Sequence, residues 1–511
     1  MKNIFLYTIA IITVLSSCKN DFLNLVPQTS LSTATFFKNK AQFEQALVAA
    51  YTPLRGIVNT AIYMDEMRSD NTFFTRYAAG RGAETSLEAI AEFLDAPNLT
   101  VQPNSPGNRY ATAYSGIAMV NTILDRISAV NLPLSAKDSI SGEALFLRAF
   151  YYYDLAQHYG GVPLQLHEAT AQGDAFQPRN TIDEVYKQIV ADLNAAIPLL
   201  SAVTSFPQSG RATKGAAKML LAYAYMSQPT KDYASAEKQL RDITQMSYTL
   251  LPNYGDVFDP KNKNNSESIF EVQYFSDLTN GQESNFAWTF LPRTLNSEAI
   301  MGYHGSGGGW NVPTQEMVDS YEPGDLRLPA SVAVVEGTIS GVEDFTTRGI
   351  KSPVGYTPAS GVAYLYMIKK YFHPPYIADG NTPDNWPIFR YSGALLLLAE
   401  CLVNEGKNTE ALPYLTRVRE RAGLVVPLRE ATRENVANEM RHELAFENHR
   451  WTDLIRNGTA IAVCNAKGGR LKALYGWLLP ASFNVTETRL LYPIPSREVQ
   501  LNNKLVQNPG Y

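Results

Sequence analysis

Apolar residues recur at three- and four-residue spacing along nine stretches of this chain, and that periodicity restricts its fold more than any other feature. Such spacing places apolar side chains on one face of an α-helix, and that face is buried against neighbouring elements. The sequence therefore predicts a mainly α-helical fold. The stretches are residues 41–55, 109–129, 141–159, 181–200, 213–228, 233–246, 391–406, 409–422 and 432–456.

These helices predict a repeat of helical pairs. Two pairs are helix–turn–helix units, and the second fits the 34-residue tetratricopeptide pattern, with small Ala399 and Ala411 placed where its two helices approach closely. Two further pairs follow if their long connections are insertions. We therefore expect about four tetratricopeptide-like pairs: 41–55 with 109–129, 141–159 with 181–200, 213–228 with 233–246, and 391–406 with 409–422.

Two long segments, residues 60–108 and 250–390, lack helical periodicity. The second is rich in Pro, Gly, Asn and aromatic residues and contains short β-like runs such as residues 331–335. A structureless loop of that length is uncommon in a compact domain, so we predict an irregular, loop-rich ligand-binding subdomain packed on the helices. One domain, residues 18–511, then combines these insertions with a helical scaffold. The scaffold is expected at roughly 35–60, 109–250 and 391–457.

Composition excludes several classes of protein. Of 511 residues, 45% are hydrophobic and 18% charged, which favours a large core over disorder. The net charge of −5 argues against a nucleic-acid partner, because binding to phosphates requires a concentrated basic surface.

The N-terminus has the pattern of a signal peptide. Lys2 precedes an apolar run over residues 4–15, and small residues stand directly before Cys18. The ending Leu-Ser-Ser-Cys resembles a bacterial lipobox, so residues 1–17 are predicted to be removed and Cys18 acylated, with a cleaved secretory signal and a chance cysteine as the alternative. Several acyl chains hold a protein stably on a membrane. The apolar run is too short to span a bilayer, and no transmembrane helix is expected.

The sequence contains no convincing catalytic or metal motif. His442 and His449 are two helical turns apart, about 10.5 Å, which is too far to share one zinc ion. Glu443 and Glu447 resemble the carboxylate pair of a glycosidase, but the charged residues Arg441, Arg450 and Asp453 around them favour a helical ion-pair ladder. The glycine cluster at 305–309 lacks the spacing of a nucleotide-binding loop. We expect no cofactor, no metal and no catalytic residue.

Aromatic residues in the insertions are the remaining candidates for function. Trp288, Tyr303 and Trp310 lie in the second insertion, and the first contains alternating polar and aromatic residues from Asp70 to Tyr77. An aromatic ring stacks on the apolar face of a sugar, while neighbouring polar groups bind its hydroxyls. The alternative for each ring is a place in the subdomain core.

The block GEALFLRAFYY (142–152), the block ELAFENHRWTDL (443–454) and several others stand out in this sequence. Together, from the lipobox to the last residue, they resemble the SusD/RagB family of nutrient-binding outer-membrane lipoproteins. Asn448 departs from this pattern, because the family usually has Gly there, and we expect a tolerated surface change. The blocks are GEALFLRAFYY (142–152) with YGGVPL (159–164), RATKGAA (211–217), AE (399–400) with VRERAG (418–423), ELAFENHRWTDL (443–454), and PIP (493–495) with QNPGY (507–511).

The resemblance implies four tetratricopeptide-like pairs that support an irregular ligand-binding half. It also implies a partner, the TonB-dependent outer-membrane barrel (SusC-like) that the lipoprotein covers as a lid, and a location on the cell surface. Ligand is expected to contact the two insertions, by stacking or by hydrogen bonds to hydroxyls. The candidate residues are Asp70, Asn71, Phe73, Phe74, Arg76, Tyr77 and Arg81 in the first insertion, and Trp288, Tyr303, Trp310 and Asn311 in the second.

We therefore expect a non-enzymatic lipoprotein that captures an oligosaccharide and delivers it to its transporter. One alternative is a glycoside hydrolase on a helical scaffold, which requires two carboxylates about 5–10 Å apart in a cleft, one with a raised pKa. Another is a scaffold protein whose repeats bind a peptide in their concave face.

Overall fold

A computed structural model describes residues 36–74, 87–97, 105–279, 281–305, 308–340 and 344–511. The predicted signal peptide, Cys18, and the candidate ligand residues Arg76, Tyr77 and Arg81 lie outside these ranges.

The first half of the chain is helical, as its periodicity predicts. Most of its longer helices begin at residues that cap the first turn: Thr181 accepts a hydrogen bond from the backbone N–H of Glu184, whose carboxylate accepts from the Thr181 backbone N–H in return. The helices are α1 (Lys40–Tyr51), α2 (Pro53–Ala61), α3 (Leu87–Glu92), α4 (Pro106–Ile127), α5 (Leu134–Tyr159), α6 (Ile182–Leu199), α7 (Lys214–Ser227) and α8 (Tyr233–Thr244). A π-helical turn, Ile62–Met67, extends α2.

The second half has longer helices at its C-terminal end and short ones before them. The helices are α9 (Phe286–Phe290), α10 (Glu298–Met301), α11 (Gln315–Asp319), α12 (Arg327–Ser331), α13 (Tyr391–Asn404), α14 (Asn408–Arg421), α15 (Arg433–Glu443), α16 (Arg450–Arg456), α17 (Ala460–Leu474) and α18 (Ser496–Leu501).

Nine of these helices form the four predicted pairs, in which α1 and α2 together make one arm. They pack as α1–α2 with α4, α5 with α6, α7 with α8, and α13 with α14; successive pairs meet through α4 and α5, α6 and α7, and α8 and α13. Close approach requires small residues: a Cβ atom at Gly116 of α4 would lie 2.3 Å from the Tyr151 ring of α5. The prediction of about four helical pairs is therefore confirmed.

The predicted irregular segment from 250 to 390 contains short strands. A three-stranded antiparallel sheet has the order β5-β4-β6, β1 pairs with β3, and β2 pairs with β7. The β-like run at 331–335 lies at the start of β4. The strands are β1 (Thr72–Phe73), β2 (Ser268–Val272), β3 (Val312–Pro313), β4 (Val332–Ser340), β5 (Asp344–Lys351), β6 (Ala363–Ile368) and β7 (Trp386–Arg390).

The core has one large and one small part. The large cluster runs through all four helical pairs, and a smaller one is enclosed between the three-stranded sheet and α9. Among the described residues, no helix is both long enough and apolar enough to cross a membrane.

The predicted continuous helix over 432–456 is wrong. Helix α15 ends at Glu443, and the chain turns through Phe446 and Asn448, which have left-handed φ angles of 64° and 66°, before α16 begins. Left-handed residues cannot continue a right-handed helix.

The predicted ion-pair ladder is also wrong, because Glu443 and Glu447 pair with residues of other elements. Arg390 of β7 donates to both carboxylates, at 3.0 and 2.7 Å, while Arg421 of α14 binds Glu443 and Lys370 binds Glu447. This buried network joins the irregular half to the helical repeat.

Candidate functional site

A row of aromatic rings forms where β1 and β3 meet α17. Phe73 of β1 stacks near-parallel to Trp477 and Tyr475, with ring centroids 6.3 and 6.1 Å apart. Phe74 contacts Trp477 on one side and Trp310 on the other, at 5.9 and 6.3 Å. We call these five rings the aromatic row; they come from three segments that are distant in sequence.

A second set of rings faces outward from the three-stranded sheet. Tyr364 and Tyr366 are two residues apart on β6 and therefore project from the same face, with ring centroids 5.6 Å apart. Both hydroxyls donate to the side-chain oxygen of Gln315, at 3.4 and 3.2 Å. Tyr356 packs on Tyr364 at 5.3 Å. We call these three residues the tyrosine face.

Between the aromatic row and the tyrosine face lies a cleft of about 260 Å³. Its walls combine rings with the side chains of Gln315, Glu316, Lys467 and Arg470. Apolar ring faces beside hydrogen-bonding groups suit a ligand that has both apolar C–H surfaces and hydroxyls. The full lining is Phe73, Phe74, Val312, Pro313, Thr314, Gln315, Glu316, Tyr364, Leu365, Tyr366, Lys467, Arg470, Leu471, Leu474 and Tyr475.

A buried ion-pair network supports the cleft from behind. Arg441 binds both oxygens of Glu316, at 2.9 and 2.7 Å, and also lies 3.1 Å from Asp70. Arg450 binds Asp70 at 2.7 Å. Burial alone raises the pKa of Asp70, but the charges of Arg450 and Arg441 outweigh it and hold that pKa well below its usual range.

Asp70, Asn71 and Asn311, three of the predicted ligand contacts, are buried in this support. Asn71 accepts from the Arg441 guanidinium at 2.9 Å. Asn311 accepts from the Thr72 hydroxyl at 2.6 Å and donates to the Ile62 carbonyl. Because these side chains are 0 to 3% exposed and already hydrogen-bonded, a ligand could reach few of their donor and acceptor atoms.

The candidate residues of the second insertion lie in three different surroundings. Trp310 packs edge-on against Tyr63 at 5.3 Å and joins the aromatic row. Trp288 instead lies 4% exposed in the small core, 4.8 Å from the Tyr376 ring, so the alternative of a core residue holds for it. Tyr303 is 38% exposed, and its hydroxyl donates to the Ile377 carbonyl, outside the cleft lining. Phe73 and Phe74 are mostly buried but line the cleft.

Sequence reasoning missed most of the cleft. Tyr364 and Tyr366 carry a usable signal, because two tyrosines at period two in a β-like run mark one face of a strand. Tyr475 and Trp477 directly follow α17, which the sequence analysis did not predict. No local signal placed Arg470 or Gln315 beside them.

A smaller cavity, of about 90 Å³, lies between the helical repeat and the turn that follows α15. Asn448 lines it, and neither of its side-chain amide atoms has a partner among the described residues; the same holds for the Tyr223 hydroxyl. The expectation that Asn448 is a surface change is corrected: its amide atoms are buried, and its positive φ explains why Gly suits this position.

Glu66, in the π-helical turn, anchors the same turn of backbone. Its carboxylate accepts from the backbone N–H groups of Phe446 and Asn448 and from the Asn71 amide. Burial raises the pKa of Glu66 to about 7, although these hydrogen bonds favour the ionised form.

Within the described ranges, no three His, Cys, Asp or Glu side chains are grouped so as to hold a metal ion. Cys401 and Cys464 are buried and unbonded to each other. Burial raises the pKa of the Cys464 thiol to about 12, as for a packing residue.

Comparison with protein families gives two matches. The family described as "SusD family" matches residues 266–511, and the one described as "Starch-binding associating with outer membrane" matches residues 21–226. The two matches occupy different halves of the chain and together take in most of it.

Relatives and solved structures extend this similarity over the whole chain. The "SusD-like protein P25" of Formosa agariphila is 27% identical over 100% of this chain and 99% of its own. The "Starch-binding protein SusD" of Bacteroides thetaiotaomicron is 23% identical, covering 99% and 98%. The structure titled "Laminarin binding SusD-like protein" is 25% identical with a TM-score of 0.73, covering 93% of this chain and 100% of that one.

Proposed function

This chain belongs to the SusD family, and from that premise we propose that it binds an oligosaccharide in the cleft between the aromatic row and the tyrosine face. It then passes this ligand to an outer-membrane transporter without cleaving it. The observation that carries the proposal is the convergence of rings from β1, β6 and the segment after α17 on one cleft with polar groups in its wall. Two relatives are named for glucans, starch and laminarin, which makes these the first ligands to test.

Ring stacking is the expected source of affinity. The rings of Tyr364 and Tyr366 are inclined by 73°, so the tyrosine face is angular rather than flat. A bent surface of this kind favours a curved oligosaccharide over a straight, ribbon-like one. Because Gln315, Arg470 and Leu474 in the cleft wall are exposed to solvent, much of the ligand is expected to stay hydrated and affinity to be modest.

Delivery and location complete the proposal. A lipid on Cys18 anchors the protein in the outer membrane, in keeping with the outer-membrane association that one matching family is named for. The partner is a TonB-dependent, SusC-like barrel. Its copurification with the full-length lipoprotein from solubilised outer membranes tests this, and a lipoprotein recovered alone would contradict it.

The hydrolase alternative is tested by the chemistry of the cleft. Both oxygens of Glu316 accept hydrogen bonds from Arg441, so this carboxyl group is held as an acceptor and is poorly placed to act as a general acid on a ligand. Binding without bond cleavage is therefore the function that this geometry supports.

Calorimetric titration of the chain without its signal peptide, against laminari- and malto-oligosaccharides, tests ligand binding. Tyr364→Ala is expected to weaken binding about fivefold to tenfold, the cost of one stacking contact. Tyr303→Ala serves as the matched control, since it removes an exposed tyrosine outside the cleft. Equal losses in both variants, or shorter products in chromatography of the bound ligand, would contradict the proposal.

A further inference from the structure

Two cations of α17, Arg470 and Lys467, line the cleft, and among the described residues neither donates a hydrogen bond to a carboxylate. Arg470 has a half-exposed side chain, and among the described residues its ion-pair neighbour is Glu316, at a loose 3.6 Å. Lys467 is buried, and its ammonium group donates to the backbone carbonyls of Met67, at 3.1 Å, and Ser69 at 2.5 Å. Both of these carbonyls are neutral.

The nearby carboxylates are already compensated. Glu316 is held through two short bonds by Arg441, and Asp70 is held by Arg450 at 2.7 Å. Two carboxylates thus balance two guanidinium groups behind the cleft. Asp70 and Glu66 also act electrostatically on Lys467, so Arg470 is the α17 cation in the cleft that is least compensated.

The opposite side of the cleft carries acidic groups. Asp319 accepts from the Gln315 amide at 2.8 Å, and Glu336 accepts from the Tyr356 hydroxyl at 3.0 Å. Neither acid is part of the cleft lining, so the cations in the lining lie on α17 while two further acids lie behind the opposite side. An asymmetric ligand is expected to enter with one orientation.

We infer that the oligosaccharide bound in this cleft carries an acidic substituent, and that Arg470 binds it. This rests on the proposed function and adds the class of ligand to it. A guanidinium group pairs with a planar or tetrahedral oxyanion through two parallel N–H donors, so a uronate carboxylate or a sulfate ester fits equally. Lys467 lies three residues before Arg470 on α17 and is buried in the cleft wall. It attracts the acidic group electrostatically without contacting it.

Calorimetric titration with size-matched oligosaccharides tests the inference. The probes are a neutral laminari-oligosaccharide, an oligogalacturonate, and a sulfated laminari-oligosaccharide. The Arg470→Gln variant removes the charge while keeping a polar side chain, and Arg429→Gln removes an exposed arginine outside the cleft lining as the matched control.

Arg470→Gln is expected to weaken binding of an acidic probe about tenfold, as for loss of one charge-assisted pair, and to change binding of the neutral probe less than about threefold. Raising the salt concentration is expected to weaken the acidic probe alone. Tight binding of the galacturonate assigns a carboxylate, and tight binding of the sulfated probe assigns a sulfate.

Acidic probes that bind no better than the neutral one, or that are insensitive to Arg470→Gln, would overturn the inference and leave the proposed function standing. If Tyr364→Ala changes none of the three affinities, or no probe binds, the proposed use of the cleft fails as well.

Discussion

At the scale of single residues, Asn448 occupies a backbone conformation that few side chains tolerate. Its φ of 66° is left-handed, and its backbone N–H is held by Glu66 at 3.1 Å, which leaves the turn little freedom to relax. Asn and Gly adopt left-handed φ angles at low cost in free energy, whereas the same conformation costs a residue such as Ala about 1 kcal/mol or more.

We therefore expect Asn448→Gly to be at least as stable as the natural protein, because it also removes an amide that has no partner among the described residues. Asn448→Ala is expected to lose about 1 kcal/mol of unfolding free energy. Urea unfolding followed by tryptophan fluorescence measures both variants. An Ala variant as stable as the Gly variant would show that the left-handed turn is not under constraint.

Glu66 makes stability depend on pH. Its folded pKa of about 7 lies above the value of about 4.3 for a glutamate in an unfolded chain, so the folded state holds the proton more tightly. This contribution is fully present below pH 4.3 or so and is lost as the pH rises through about 7.

The free energy of unfolding is thus expected to fall relative to that of Glu66→Gln between about pH 5 and 8, by up to ~3 kcal/mol. Gln does not titrate, so the pH dependence of the difference in unfolding free energy reports Glu66. The hydrogen bond that the variant also loses adds only a constant to that difference. Urea titrations at four pH values measure it. A difference that is constant or rises with pH would contradict the assignment.

At the scale of elements, α17 packs closely against the segment that follows it. Gly468 faces Phe483, and a Cβ added there would lie 2.2 Å from the Phe483 Cβ. At the adjacent Gly469, which faces solvent, an added Cβ meets no atom within 4 Å. The two glycines are therefore a matched pair in one helix.

Gly468→Ala is expected to cost about 2 kcal/mol or more through overpacking, whereas Gly469→Ala is expected to gain about 0.5–1 kcal/mol from helix propensity. Thermal unfolding of the two variants measures the difference. Equal effects would mean that α17 does not pack against Phe483 as described.

Sequence patterns predicted some elements well and others poorly, for a physical reason. The helices of the repeat bury one face each, so local periodicity is enough to find them, as for α13 and α14. The break after α15 depends on Glu66, about 380 positions away along the chain, which holds the backbone of Phe446 and Asn448. The spacing of apolar residues over 432–456 does not depend on that long-range contact, so it could not predict the break.

The site was predicted only in part, for the same reason. The segment around Phe73 and Trp310 were both proposed as ligand contacts, and the structure brings the Phe74 and Trp310 rings to 6.3 Å of each other. Tyr364, Tyr366 and Tyr475 reach the cleft through the pairing of β strands and the packing of α17, which no short motif records. Trp288 was misplaced because its ring fills the small core.

At the scale of the whole molecule, the helical repeat and the irregular half have separate tasks. The four pairs form a rigid frame, and the buried ion network around Arg390 joins the irregular half, with its cleft, to that frame. Rigid support keeps rings from distant segments in register, which lowers the entropy cost of binding a flexible oligosaccharide.

The lipid anchor is a prediction at this scale. In a bacterial host that makes lipoproteins, the natural chain is expected to incorporate a labelled fatty acid and sediment with membranes, because several acyl chains hold a protein stably. Cys18→Ala is expected to lose the label and leave the membrane fraction. A labelled Cys18→Ala chain would place the lipid elsewhere.

The most direct test of the central claim is a crystal structure of the chain without its signal peptide, soaked with the oligosaccharide that binds best in titration. Our account predicts an intact sugar chain between the tyrosine face and the aromatic row, with a ring against Tyr364 or Tyr475 and an acidic group at Arg470. Ligand bound at Tyr303, or in the concave face of the helical repeat, would contradict it.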